Sequence, residues 1–271
     1  MQLVLEDITV YGRRGPLLEL DRFTVSTGEC VLMAGEPGQG HTAMALVATG
    51  RLAPFSGRVR LVRDDGSETE DRTERRRLTA VVDLPAVSEP DDAVPVGTVT
   101  AEGLALARRG SVPGGPTRWL DRHDMGALRT VRVDEVVGAV RTALLTALAA
   151  ERKEVRFLVL SLPDRHGGEP ADWWEIAQAY ASFGYGVLVQ CGRSSARDLG
   201  ADIPPARGDS ARRATPLEAL RIRPPSASRP TAADPDRPAH DEALDTAWLF
   251  GEAPADDQQE PGAPRTREKD Q

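Results

Sequence analysis

Along the first 200 residues, short apolar runs alternate with segments whose apolar side chains recur at helical spacing. Residues 3–11, "LVLEDITVY", alternate as a half-buried strand does. Residues 29–35, "ECVLMAG", carry the unbroken apolar run of a strand covered on both faces. A helix is predicted over 41–50, "HTAMALVATG", with Gly50 as its C-terminal stop. "SGRVRLV" and "LTAVVD" (56–62 and 78–83) predict further strands. Residues 133–154 predict a long amphipathic helix with Val136, Val137, Val140, Leu144, Leu145 and Leu148 on one side. "VRFLVLSL" (155–162) predicts a central parallel strand. Residues 169–184 predict a helix with Pro170 near its start and Gly184 at its end. "YGVLVQC" (185–191) predicts another buried strand. Strands alternating with helices imply an α/β fold with a mostly parallel sheet flanked by helices.

The pattern stops near residue 200. Of the 21 prolines, 11 lie at or after Pro204, and the intervening chain has few large apolar side chains. Such a composition cannot offset chain entropy by burial, so residues 205–271 are predicted to be a disordered Pro-, Ala- and Asp-rich tail. Within it "DEALDTAWLFGE" (241–252) stands apart. Leu244 and Trp248 are four apart and would share a helix face, which predicts a short helix over 241–250. It suits either a docking motif for a partner or a segment folding back on its own domain.

Charge narrows the function. Lys plus Arg is 34 against 42 Asp plus Glu, a formal net charge of −8, which argues against a nucleic-acid partner. Glu74-Arg75-Arg76-Arg77 reads as solvated surface. Two cysteines, Cys30 and Cys191, give neither a disulfide framework nor zinc spacing and fit a reducing compartment. The N-terminus lacks the basic start of a secretory signal, and no apolar run approaches the roughly 20 residues of a membrane helix. A cytoplasmic protein is expected, reaching any membrane through a partner.

One stretch carries chemistry. "GEPGQGHT" (Gly35, Glu36, Pro37, Gly38, Gln39, Gly40, His41, Thr42) fits the phosphate-binding pattern G-x-x-x-x-G-K-[ST] except at His41, where lysine belongs. It lies between a predicted strand and a predicted helix, the context in which backbone N–H groups and a helix N-terminus hold phosphate. Thr42 offers a hydroxyl to Mg²⁺. His41 is shorter than lysine and, with an unperturbed pKa near 6.5, mostly neutral at pH 7. Two readings stand: a partial substitute that improves at lower pH, or a position whose charge stopped mattering.

The order of these pieces resembles the nucleotide-binding subunit of ABC transporters over roughly residues 2–195. The opening, the aromatic-Gly pair at Tyr11-Gly12, the glycine loop and "LAPFSGRVRL" carry the likeness. The resemblance implies a P-loop NTPase fold of the ABC type over 1–200. An antiparallel β subdomain and a helical subdomain near 98–150 would accompany the parallel sheet. It further implies Tyr11 stacking on adenine, ATP and Mg²⁺ as cofactors, a membrane-spanning transporter subunit as partner at the inner face of the membrane, and a homo- or heterodimer with another nucleotide-binding subunit.

Other family motifs are missing. Ser161 and Leu162 stand where the Walker B Asp and Glu belong, with Pro163 kept. Asp83 takes the place of the Gln that follows the strand at 78–82. It is a second candidate metal ligand, although a surface loop aspartate is the plainer reading. The signature position falls on Asp134-Glu135-Val136-Val137-Gly138, without the motif. Cys191 or Gly192 replaces the switch histidine. No catalytic residue is therefore assigned. The expected function is an ATP-binding subunit that binds nucleotide weakly and hydrolyses it poorly or not at all. The alternatives are a non-catalytic regulatory or interaction protein on the same fold and an ATPase with unconventional groups.

Overall fold

The computed structural model describes residues 1–13, 15–109, 114–203 and 218–220. The chain opens with a hairpin, β1 (Gln2–Gly12) and β2 (Gly15–Ser26), and then enters β3 (Cys30–Ala34) and α1 (His41–Ala48). β4 (Ser56–Val62) and β5 (Glu68–Thr69) follow, then α2 (Arg72–Leu78) and β6 (Thr79–Val82). The helical stretch holds α3 (Val96–Leu106), α4 (Gly115–Arg122) and α5 (Gly138–Ala150). The domain closes with β7 (Phe157–Ser161), α6 (Pro170–Ser182), β8 (Gly186–Cys191) and α7 (Arg193–Asp198); β9 (Glu218–Leu220) comes later.

Two sheets result. The antiparallel sheet runs β2-β1-β4-β5, and the second runs β6-β7-β8-β3-β9, parallel except for β9. This is the mostly parallel α/β core with an antiparallel β subdomain. β7 and β8 are buried at every residue, because helices cover both faces of central parallel strands. One apolar cluster lies under α5 and α6, with Trp119, Trp173 and Leu158 fully or almost fully buried. The other joins α1 to the antiparallel sheet through Leu5, Ile8, Met33 and Met44.

Several expectations are corrected. The helix expected from Val133 begins at Gly138, after a 3₁₀ turn at Val133–Glu135. Val137 is its cap and 66% exposed, so it leaves the apolar face. Gly138 has no room for a side chain, since a Cβ would meet the Gly167 carbonyl at 2.5 Å. Arg75 is buried rather than solvated, its guanidinium donating to the Val59 carbonyl at 2.9 Å. Glu218–Leu220, within the stretch expected to be disordered, pair antiparallel with β3 as an edge strand. The helix expected over 241–250 lies outside the described residues. No helix among the described residues is long and apolar enough to cross a membrane.

Candidate nucleotide site

β3 delivers the glycine loop at the C-terminal edge of the parallel sheet, where α/β folds place ligands. Gly35 donates to the Cys191 carbonyl at 3.1 Å, which fixes the loop's start beside β8. Gly38 and Gly40 then take φ of +88° and +97°, the left-handed region. At Gly40 a Cβ would sit 2.3 Å from the Leu17 carbonyl oxygen, so β2 allows no side chain there. α1 begins at once, with Met44 N–H donating to the Gly40 carbonyl at 2.8 Å. The N–H groups of Gly38, Gly40, His41 and Thr42 make no hydrogen bond among the described residues. That is a concave set of free donors at a helix N-terminus, a fit for a phosphate group.

The rest of the loop fits less well. Glu36 N–H is already taken by Gln39 Oε1 at 2.7 Å. His41 is 5% exposed and packs inward. Burial lowers its pKa below 6.5, outweighing its hydrogen bond to the Cys191 backbone and the nearby charges of Asp164 and Glu36. Its Nε2 is buried without a partner among the described residues. A neutral ring beneath the loop cannot do the work of a lysine over it.

Behind the loop runs a buried polar chain that sequence reading missed. Gln190 on β8 donates to the His41 carbonyl at 2.8 Å and accepts from Ser161 Oγ at 3.2 Å. Ser161, expected from the sequence at the Walker B aspartate place, is thereby committed to holding β7 and β8 together. Leu162 adopts a left-handed φ of 52°, and its N–H donates to the Gln190 carbonyl. Asp164 accepts from Gly192 N–H at 2.7 Å and Ser195 Oγ at 2.8 Å, so it caps α7.

Asp83 is not a surface residue. It is 6% exposed and receives Arg141 of α5 in a bidentate pair, both contacts at 3.0 Å. Arg165 lies at 3.1 Å and His166 Nε2 at 2.9 Å. Burial alone would raise its pKa. The hydrogen bonds from His166 and Arg141 and the charges of Arg141 and Arg165 win and hold it at about 2. Arg165 Nε also lies 2.9 Å from His166 Nε2, and one ring nitrogen cannot accept there while donating to Asp83, so the contacts compete. Glu89 and Asp92 complete the cluster from the loop after β6. Asp83, Glu89 and His166 place ligand atoms within 4.8 Å of one another. Two guanidinium groups already occupy that space, and a cation would have to displace them. At the loop itself the exposed Thr42 hydroxyl is open to Mg²⁺, while Asp164 is engaged by Gly192 and Ser195, so among the described residues the set fits the ion poorly.

Tyr11 is 54% exposed at the end of β1 and packs edge-on against Phe55, ring centroids 4.9 Å apart. Phe55, 76% exposed, was not singled out in the sequence. Two adjacent exposed aromatics offer a stacking platform. They belong to the same corner as the loop, since Leu17 touches both the Gly12 and Gly40 positions.

A parallel sheet that feeds a glycine loop into a helix defines a P-loop type of nucleotide-binding fold. Solved structures make the class more specific. A dimeric ATP-binding cassette bound to ADP and phosphate aligns with TM-score 0.54 at 17% identity, over 70% of this chain and 87% of that one. A Pyrococcus furiosus protein described as an ABC transporter ATP-binding protein aligns with TM-score 0.53 at 16% identity, over 71% and 92%. A Clostridium perfringens cassette described as part of an ABC transporter complex aligns with TM-score 0.51 at 16% identity, over 70% and 78%. No protein-family model matches the sequence, and no curated protein does. The chain has the fold of the ATP-binding cassette of ABC transporters.

Proposed function

We propose that this protein is an ATP-binding subunit of an ABC-type transporter whose site binds nucleotide weakly and does not turn it over. The observation that carries this reading is the glycine loop itself. Its free amides at Gly38, Gly40, His41 and Thr42 remain, while the side chain at the lysine position is turned under the loop, neutral and buried. Amides without a lysine leave part of the phosphate site. Ser161 is tied to Gln190, Asp83 to Arg141, and Asp164 to Gly192 and Ser195, so these groups are already committed where a metal ligand or water-orienting carboxylate is needed. Phosphoryl transfer depends on both. Tyr11 and Phe55 supply the base platform. Such a subunit works at the cytoplasmic face of a membrane, through a membrane-spanning partner and a second nucleotide-binding subunit.

A second reading has its own observation. Gln39 fills the Glu36 amide from within the loop, which favours an interaction protein that keeps the fold without using nucleotide. Titration of the purified chain with fluorescent ATP, with and without Mg²⁺, separates the two. The proposal expects saturable binding in the high micromolar to millimolar range, changed little by Mg²⁺ and weakened by Gly38→Pro. No binding at any concentration selects the interaction protein, and tight Mg²⁺-dependent binding rejects both.

A further inference from the structure

A groove of about 1510 Å³, lined by none of the glycine-loop residues, lies between α2 and β6 on one side and α3 and α5 on the other. β6 is the edge of the parallel sheet among the described residues, and the groove runs along it. Its apolar part includes Val87 at 49% exposure and Leu106 at 70%, side chains left open to water above the buried Val99. Seven basic side chains line it against five carboxylates, Asp83, Glu89, Asp91, Glu102 and Glu154, so it is basic by two charges. Arg77 pairs with Glu154 and Arg109 with Glu151. Arg51, Arg76, Arg108 and Arg152 have no carboxylate within ion-pair distance among the described residues. Burial lowers the pKa of Arg51, and so does repulsion from Arg152 and Arg76. Hydrogen bonds to backbone carbonyls hold three of these guanidiniums in place: Arg51 to Thr49, Arg76 to Gly50, and Arg152 to Thr79, Arg76 and Arg77. Like charges fixed side by side on an apolar floor call for an acidic, apolar occupant.

We propose that the occupant is the chain's own segment Asp241–Glu252. It carries Asp241, Glu242, Asp245 and Glu252 with no Lys or Arg between them, and Leu244, Trp248, Leu249 and Phe250 as anchors. Both halves of the complementarity are met: carboxylates for the arginines, and apolar side chains for the exposed Val87 and Leu106. The path is long enough. β9 ends at Leu220 on the opposite edge of the sheet, four strand spacings, or roughly 19 Å, from β6. Twenty residues, 221–240, lie between Leu220 and Asp241, and a chain of that length can reach about 65 Å. Tethering supplies an effective concentration near millimolar, so even modest contacts keep the groove filled. The docked segment covers the groove and must be displaced before any other protein can use it.

Disulfide trapping in the full-length chain tests this. The native thiols interfere little, since burial pushes Cys30 up to about 12 and Cys191 higher still. Leu106→Cys is combined with single cysteines at Ala243, Leu244, Ala247 or Trp248, and a control series uses Leu17→Cys on the far side. Bridging within one chain to position 106 is expected about tenfold faster than to position 17. Added salt at 1 M, or Arg76→Glu with Arg108→Glu, should reduce it to the control rate. These arginine side chains are exposed, so their reversal spares the core. Equal rates to both positions would overturn the proposal. Bridges found only between two chains would overturn it in favour of a second copy as the occupant. Fast bridging that ignores salt and the arginines would also overturn it, because the carboxylates would then have no part.

Discussion

His41 shows how burial decides what a residue can do. A histidine beside phosphate is expected to charge more readily, but this ring is enclosed against β8 and its pKa is pushed down. ATP binding is therefore expected not to strengthen between pH 7.5 and 6, and a rise in affinity at pH 6 would contradict the inward ring. Lysine at this position has a longer stem and can turn out to the loop mouth. His41→Lys is expected to tighten ATP by roughly 1.5 to 3 kcal/mol, the worth of a charge-assisted contact, or about tenfold or more. The same fluorescent titration measures it, and an unchanged Kd would refute the account. Asp83 makes the opposite case, a charge held inside by partners. Folded, it titrates at about 2 rather than its ordinary 3.8, so over that interval the folded chain binds fewer protons than the unfolded one. Its contribution, about 2 kcal/mol, is intact above about pH 5 and lost as the pH falls through 2. Asp83→Asn takes away the buried partner of Arg141 and leaves it the more exposed Asp92 at 3.0 Å, so the expected cost at pH 7 lies at the low end of about 3–5 kcal/mol. Urea melts across pH 2–7 check both, and the variant should lack the acid-side loss assigned to Asp83.

At the scale of elements, α6 carries a packing prediction. Pro170 at its first turn and Gly184 with φ +91° beyond its end bound it as the local sequence requires. Trp173 is fully buried, and its Nε1 has no partner among the described residues. Trp173→Ala removes most of a large side chain and is expected to cost about 3–5 kcal/mol. Trp173→Phe loses volume but also removes the orphaned N–H, so its cost is expected below about 2 kcal/mol. Equal losses in denaturant melts would mean that the indole N–H is satisfied. The elements legible in the sequence were those set by local patterning. β3, β4, β6, β7, β8, α1 and α6 fall where apolar runs, Pro170, Gly50 and Gly184 put them. The start of α5 was misread, because Val136 and Val137 continue the apolar spacing while the turn at Gly138 is dictated by the Gly167 backbone, a contact no local pattern announces. β9 was missed for a similar reason: three residues in a Pro-rich stretch become a strand only because β3 offers an edge.

For the molecule as a whole, the proposed lack of turnover rests on joint commitments rather than one missing group. The purified chain is expected to show no ATP turnover, and His41→Lys is expected to add binding without adding turnover. Phosphate release by the clean native chain, abolished by Gly38→Pro, would defeat this. Ser161→Asp is not a rescue. It places a carboxylate at a 2% exposed position beside Gln190 with no cation to meet it, and a lower melting temperature is expected. ATP is also not expected to drive self-dimerisation in size-exclusion runs, since Asp134–Gly138 offers no signature motif to a second copy.

The sequence by itself determined the α/β class, the strand–glycine loop–helix unit and the histidine that stands in the loop where the phosphate-binding pattern has lysine. Those depend on residue identity and on short-range periodicity, both of which are local. Tertiary structure decided what the remaining groups do. Asp83, Glu89, Asp92, Arg141, Arg165 and His166 come from three separate stretches and meet because β6 and β7 are neighbours and α5 packs across them. Their charges are partners only in that arrangement. It also turned His41 inward, committed Ser161 to Gln190 and gathered Arg51, Arg76 and Arg152 at one groove. Burial and charge pairing are properties of distance in space, and residues far apart in sequence acquire that distance only when the sheet is assembled.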